Sequence, residues 1–102
     1  MNDETTYYVV RLSQQILAIS TDFETAAVKA LHYFNKCRNT IYNVTVSSFT
    51  EGITEEIIFT LSNRFSIVSA SLYSKKVSLP KKIEVELDLL GITVVKSFIK
   101  DE

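Results

Sequence analysis

The stretch TDFETAAVKALHYFNKCR, Thr21 to Arg38, decides how the chain is read. Its apolar residues Phe23, Ala26, Ala27, Ala30, Leu31, Phe34 and Cys37 recur three or four positions apart and form one stripe at the α-helical period. Thr21 and Glu24 have the T-x-x-E spacing of a capping box, in which each side chain satisfies the other's backbone N–H. Asn39 tolerates the left-handed conformation that ends many helices, and Lys36 and Arg38 suit the negative end of the helix dipole. The expectation is a helix that starts at Thr21 and stops near Arg38, with Cys37 inside its buried stripe.

Everything around this helix reads as sheet. Val, Ile and Thr supply thirty of the 102 residues, and β-branched side chains suit a pleated surface. TYYVVRLS places Tyr8, Val10 and Leu12 on one face, and a turn near Ser13-Gln14-Gln15 leads into ILAIS, which predicts a hairpin. After the helix, Tyr42, Val44 and Val46 alternate with Asn43, Thr45 and Ser47, so one face is expected to be buried and the other wet. Glu51-Gly52 and Ser62-Asn63-Arg64 read as turns around EEIIFTLS and FSIVSASLY, completing an antiparallel meander.

Residues 80–90 carry two patterns at once. Ile83, Val85, Leu87 and Leu89 alternate with Lys82, Glu84, Glu86 and Asp88, as in a strand. SLPKKIEVELDLLG also fits a helix with Ser78 as cap, Pro80 near the start, a stripe of Ile83, Leu87 and Leu90, and Gly91 past the end. The helix leaves Val85 and Leu89 on the polar side, so the alternation favours a strand. ITVVKSFIK follows as a terminal strand or, on the alternative, a short helix packing Ile92, Val95, Phe98 and Ile99. The fold class expected is therefore α+β: a mainly antiparallel sheet of about five to seven strands, ordered ββαβββ and then a C-terminal ββ or αβ unit, with one long amphipathic helix on one face. The other face is expected to carry Ser, Thr and charged residues.

Length and composition bound the function. A chain of 102 residues with 46% hydrophobic content, two glycines and one proline suits a single domain, 1–102, that buries one core. The formal charge of −1 creates no field to attract nucleic acid or anionic lipid, so neither is expected as a partner. No apolar run approaches the roughly 18 residues that span a bilayer. One cysteine forms no internal disulfide, and MNDETTYY has no signal-peptide pattern, which points to the cytoplasm. Asn43-Val44-Thr45 then reads as a strand triplet rather than a glycosylation acceptor.

Catalytic and cofactor patterns are missing. His32 and Cys37, the sole histidine and cysteine, fall on opposite sides of a helix that turns about 100° per residue, so they cannot share a metal or form a dyad. A cysteine near a helix C-terminus also lacks the positive environment that activates thiolates. With Gly52 and Gly91 as the only glycines, neither common phosphate-binding loop can be written. No G-x-S-x-G turn and no RNP1 pattern occur, and the 11 aromatic residues suit a core better than base stacking. No cofactor, no metal and no catalytic residue is expected.

Two sets of residues remain as candidate partner-binding surfaces. Lys29, His32 and Lys36, with Thr25, share the outer face of the helix and form a cationic stripe suited to an acidic protein surface; a solvated helix face explains them too. Glu84, Glu86 and Asp88 would project from one face of a strand at intervals of about 6.6 to 6.8 Å, too far apart for one metal ion to bridge neighbours directly. They read as an acidic row for a basic partner or as protection of a sheet edge. Glu51, Glu55 and Glu56 cluster at a hairpin tip.

In its size, its lack of catalytic constellations and its bias to Ile, Lys, Ser and Thr, the whole chain resembles the small accessory proteins of phages and mobile elements. That resemblance implies binding to one host protein. The expectation is a small non-enzymatic intracellular protein that works by stoichiometric protein–protein binding, as an inhibitor or modulator of a host protein. The alternatives are a self-associating structural or assembly subunit such as a homodimer, an enzyme using carboxylates alone, and a nucleic-acid-binding module.

Overall fold

The computed structural model describes residues 5–37, 43–50, 55–64, 67–74 and 77–97. Their elements run β1 (Thr6–Leu12), β2 (Gln15–Ser20), α1 (Phe23–Lys36), β3 (Asn43–Thr50), β4 (Glu56–Arg64), β5 (Ile67–Tyr73), α2 (Lys81–Leu89) and β6 (Thr93–Ser97). The strands form one six-stranded sheet in the order β2-β1-β3-β4-β5-β6. All neighbours are antiparallel except β5 and β6, which run parallel. Parallel neighbours need a crossover, and α2 provides it.

The α+β class and the helix between the second and third strands are as the sequence indicates. The β1–β2 turn falls at Ser13-Gln14, where Ser13 takes a φ of 59°. The long helix begins one residue later than its capping pattern suggests. Asp22, not Thr21, is the N-cap, and its Oδ2 accepts hydrogen bonds from the Thr25 backbone N–H at 3.0 Å and the Thr25 hydroxyl at 2.8 Å. Ser20 holds the approach, its Oγ accepting from Asp22 N–H at 3.0 Å. Glu24 does not close a box with Thr21; its carboxylate lies 3.9 Å from Lys82 Nζ on α2. At the other end Cys37 is the C-cap, its N–H shared between the carbonyls of Phe34 and Tyr33. The chain leaves helical geometry there, so Cys37 is exposed rather than part of the buried stripe. Arg38 and Asn39, expected at this terminus, lie outside the described residues.

The core is formed between α1, α2 and one face of the sheet. Phe23, Ala26, Ala27, Ala30, Leu31 and Phe34 of α1 are all buried, against Val10, Val44, Val46, Phe59, Leu61, Ala70 and Leu72 of the strands. The alanines let α1 approach closely, and the Phe23 ring meets Tyr8 and Phe59 edge-on at 5.7 and 6.0 Å.

Residues 81–89 are helical, and the strand favoured by their alternation is corrected. A strand would bury Ile83, Val85, Leu87 and Leu89 alike. Instead Ile83 and Leu87, one turn apart, are sealed in the core, whereas Val85 and Leu89 are exposed. Pro80 rather than Ser78 is the N-cap. The stop is a Schellman motif: Gly91 at φ 72° donates to Asp88 O at 3.1 Å and Ile92 donates to Leu87 O at 2.9 Å. Ile92 is itself buried beside Leu87, the apolar contact that accompanies this motif.

Two smaller expectations also change. β4 continues through Ser62-Asn63-Arg64 instead of turning there, with Asn63 paired to Val68 and Arg64 to Ile67. Ser47, expected on a wet face, is buried. The Glu51-Gly52 turn, Phe98 and Ile99 lie outside the described residues.

Candidate interaction surface

Lys29, His32 and Lys36 are exposed along the outer side of α1 together with Thr25. His32 lies beside the Tyr33 ring at 5.9 Å and borders a shallow cleft of about 210 Å³ between the helices, where Lys82, Ile83 and Glu86 of α2 line the opposite wall. Lys29 borders a neighbouring hollow with Glu24 and Lys82. Cations and carboxylates therefore alternate along the helix pair, and the stripe is not a field of one sign.

The acidic row does not exist as a row. On α2, Glu84 and Asp88 are four residues apart and share a side, while Glu86 is turned by about 200° from Glu84. Glu84 and Asp88 border a hollow with Gly91, Ile92 and Thr93, and Glu86 faces the cleft beside His32. The strand reading put these three carboxylates together; the helix separates them. Among the described residues no three His, Cys, Asp or Glu side chains converge as metal ligands.

The more distinctive surface is the side of the sheet that neither helix covers. Strand register identifies its members. Ile16, Arg11, Thr45, Thr60, Ser71 and Val95 lie side by side in one row across all six strands. Ile19, Val9, Ser47 and Ile57 form the next row, and Tyr7 pairs with Phe49 beyond it. Alternation adds Ile67, Ser69 and Tyr73 from β5. Of the eleven large hydrophobic residues exposed among the described residues, eight belong to this face: Tyr7, Ile16, Ile19, Phe49, Ile57, Ile67, Tyr73 and Val95. The Ser, Thr and charged residues expected on this face are there, in Thr45, Thr60, Ser69, Ser71 and Arg11, and the large apolar residues are an addition to them. Hydroxyls do occupy its middle, but large apolar side chains surround them.

No family model, curated protein or solved structure matches this chain. Its chemistry is therefore read from its own geometry.

Among the described side chains, charge on the open face is confined to one pair. Arg11 of β1 and Glu55, just before β4, meet at 2.9 Å with their side chains about one third exposed, at 34% and 28%. β3 lies between β1 and β4, so the pair reaches across β3, which explains how Ser47 and its neighbour Val9 come to be buried on a face that no helix covers. Arg11 Nε and Glu55 Oε2 are buried without a hydrogen-bond partner. Glu55, which the sequence places in an acidic hairpin tip, is thus a tie across the sheet.

A sign of this face was present in the sequence. Tyr7, Ile16, Ile19, Ile57 and Ile67 stand out of phase with the core-facing residues of their strands, and two bulges, between Val10 and Arg11 in the β1–β2 ladder and between Val46 and Ser47 in the β3–β4 ladder, hide the regular alternation.

Proposed function

We propose that this protein acts by stoichiometric protein–protein contact rather than by catalysis, and that the uncovered sheet face is its contact surface. The observation that carries this reading is the concentration of eight exposed large hydrophobics on one side of the sheet. Exposed apolar residues scattered singly need no explanation, whereas their concentration on one face is the signature of an interaction site. Tyr7 and Tyr73 supply rigid amphipathic rings and Phe49 a rigid apolar one, the kinds of side chain that anchor protein interfaces. The hydroxyls of Thr45, Thr60, Ser69 and Ser71 offer hydrogen bonds between these anchors. A carboxylate enzyme is less well supported: Glu84 and Asp88 stand side by side on one helix, not across a cleft from each other.

Affinity capture from a lysate of the source cell tests this reading, with wild-type protein, Ile57→Lys and Lys29→Glu as baits. A protein retained by the wild type and Lys29→Glu but lost with Ile57→Lys supports it. A protein lost only with Lys29→Glu moves the contact to α1 and overturns it.

A further inference from the structure

We propose that the open sheet face is closed by a second copy of this chain, the two sheets packing face to face about a twofold axis that runs along the strands. This rests on the contact-surface reading above and names the occupant. Charge is the first ground. Acidic and basic residues make up 23% of the chain, yet Arg11 is the one charged strand residue among the described side chains of this face, and Glu55 neutralises it at 2.9 Å. The half of the face that holds Tyr7, Phe49, Ile57 and Tyr73 therefore carries no unbalanced charge, Arg64 lying by register at the far end opposite Ile67, and such a surface meets its own copy without like-charge repulsion, whereas one built for an acidic or basic partner displays the opposite sign.

Distribution is the second ground. Tyr7, Ile19, Phe49, Ile57 and Tyr73 gather towards the end of the sheet where β1 begins, whereas Asn43, Ser62, Ser69 and Thr93 occupy the other end, with Ile67 beyond them. Rotation about an axis parallel to the strands lays the apolar end of one copy over the apolar end of the other. Rotation about an axis across the strands lays it over hydroxyls and amides instead. Either rotation keeps the strands of the two sheets aligned, as in sheet sandwiches, so the distribution of apolar residues decides between them.

Area is the third. Six strands spaced about 4.8 Å apart and about six residues long give a footprint of about 600 Å². Two such faces together bury about 1,200 Å², the lower end of the range for specific, stable interfaces.

Sedimentation equilibrium from about 1 to 100 μM, in reductant so that the exposed Cys37 cannot link copies, tests the proposal. Wild-type protein is expected to pass from the mass of one chain to that of two within this range. Ile57→Lys, at a site 57% exposed, should weaken the dimer at least tenfold, and Val85→Lys, on α2 and 48% exposed, should leave it unchanged. A urea midpoint for dilute Ile57→Lys matching dilute wild type shows that the variant is folded. Single-chain mass throughout, or a dimer that Ile57→Lys does not weaken, overturns the proposal. A monomer that still captures another protein through the same face leaves the contact-surface reading standing; a monomer that captures nothing overturns both.

Discussion

Gly91 holds a φ of 72° with nothing within 4 Å of the place a Cβ would occupy. The cost of a side chain there is therefore conformational and not a clash. Gly91→Ala should destabilise the fold by about 1 kcal/mol, and Gly91→Asn by less, because Asn tolerates the left-handed region better. Urea denaturation measures both, and an unchanged midpoint for Gly91→Ala would mean that the Schellman turn does not form. The same scale explains the displaced N-cap of α1. Thr21 and Asp22 are adjacent and both are good caps, so composition does not choose between them. Ser20 chooses: its hydroxyl fixes the Asp22 backbone, leaving Asp22 to receive the Thr25 N–H.

At the scale of the element, α1 was legible because its stripe repeats over four turns and no alternating pattern competes with it. α2 was not, because nine residues satisfy both periods and only the environment distinguishes them. Leu87 and Leu89 make the test. In a strand they share a face and would cost alike on truncation. In the helix Leu87 is fully buried while Leu89 is 78% exposed. Leu87→Ala should cost about 2–5 kcal/mol and Leu89→Ala less than about 0.5 kcal/mol, as denaturant midpoints will report. Equal losses would restore the strand. The consequence reaches the candidate site, since Glu84, Glu86 and Asp88 form one surface only if these residues are a strand.

At the scale of the whole molecule, the Arg11–Glu55 pair ties β1 to β4 over β3 and is the main polar feature of the open face. Glu55→Ala should cost about 1 kcal/mol, the discount reflecting the one-third exposure of both partners. The loss should shrink in 1 M salt, where the Debye length falls to about 3 Å; a salt-independent loss would assign the effect to packing over Ser47 instead. Such a tie could not be read from Arg11 and Glu55, which lie 44 residues apart in the chain, because it depends on which strands become neighbours. The α+β class, the phase of α1, the strands β1 to β5 and the lack of a glycine-rich phosphate-loop motif were legible along the chain, since each rests on local period, turn residues or composition. Only packing in three dimensions makes residues 81–89 a helix, lays β6 parallel to β5, and gathers eight large apolar side chains on the face that neither helix covers. Each of these depends on what occupies the space beside a segment, and period-two or period-four patterning carries no record of neighbours distant in the chain.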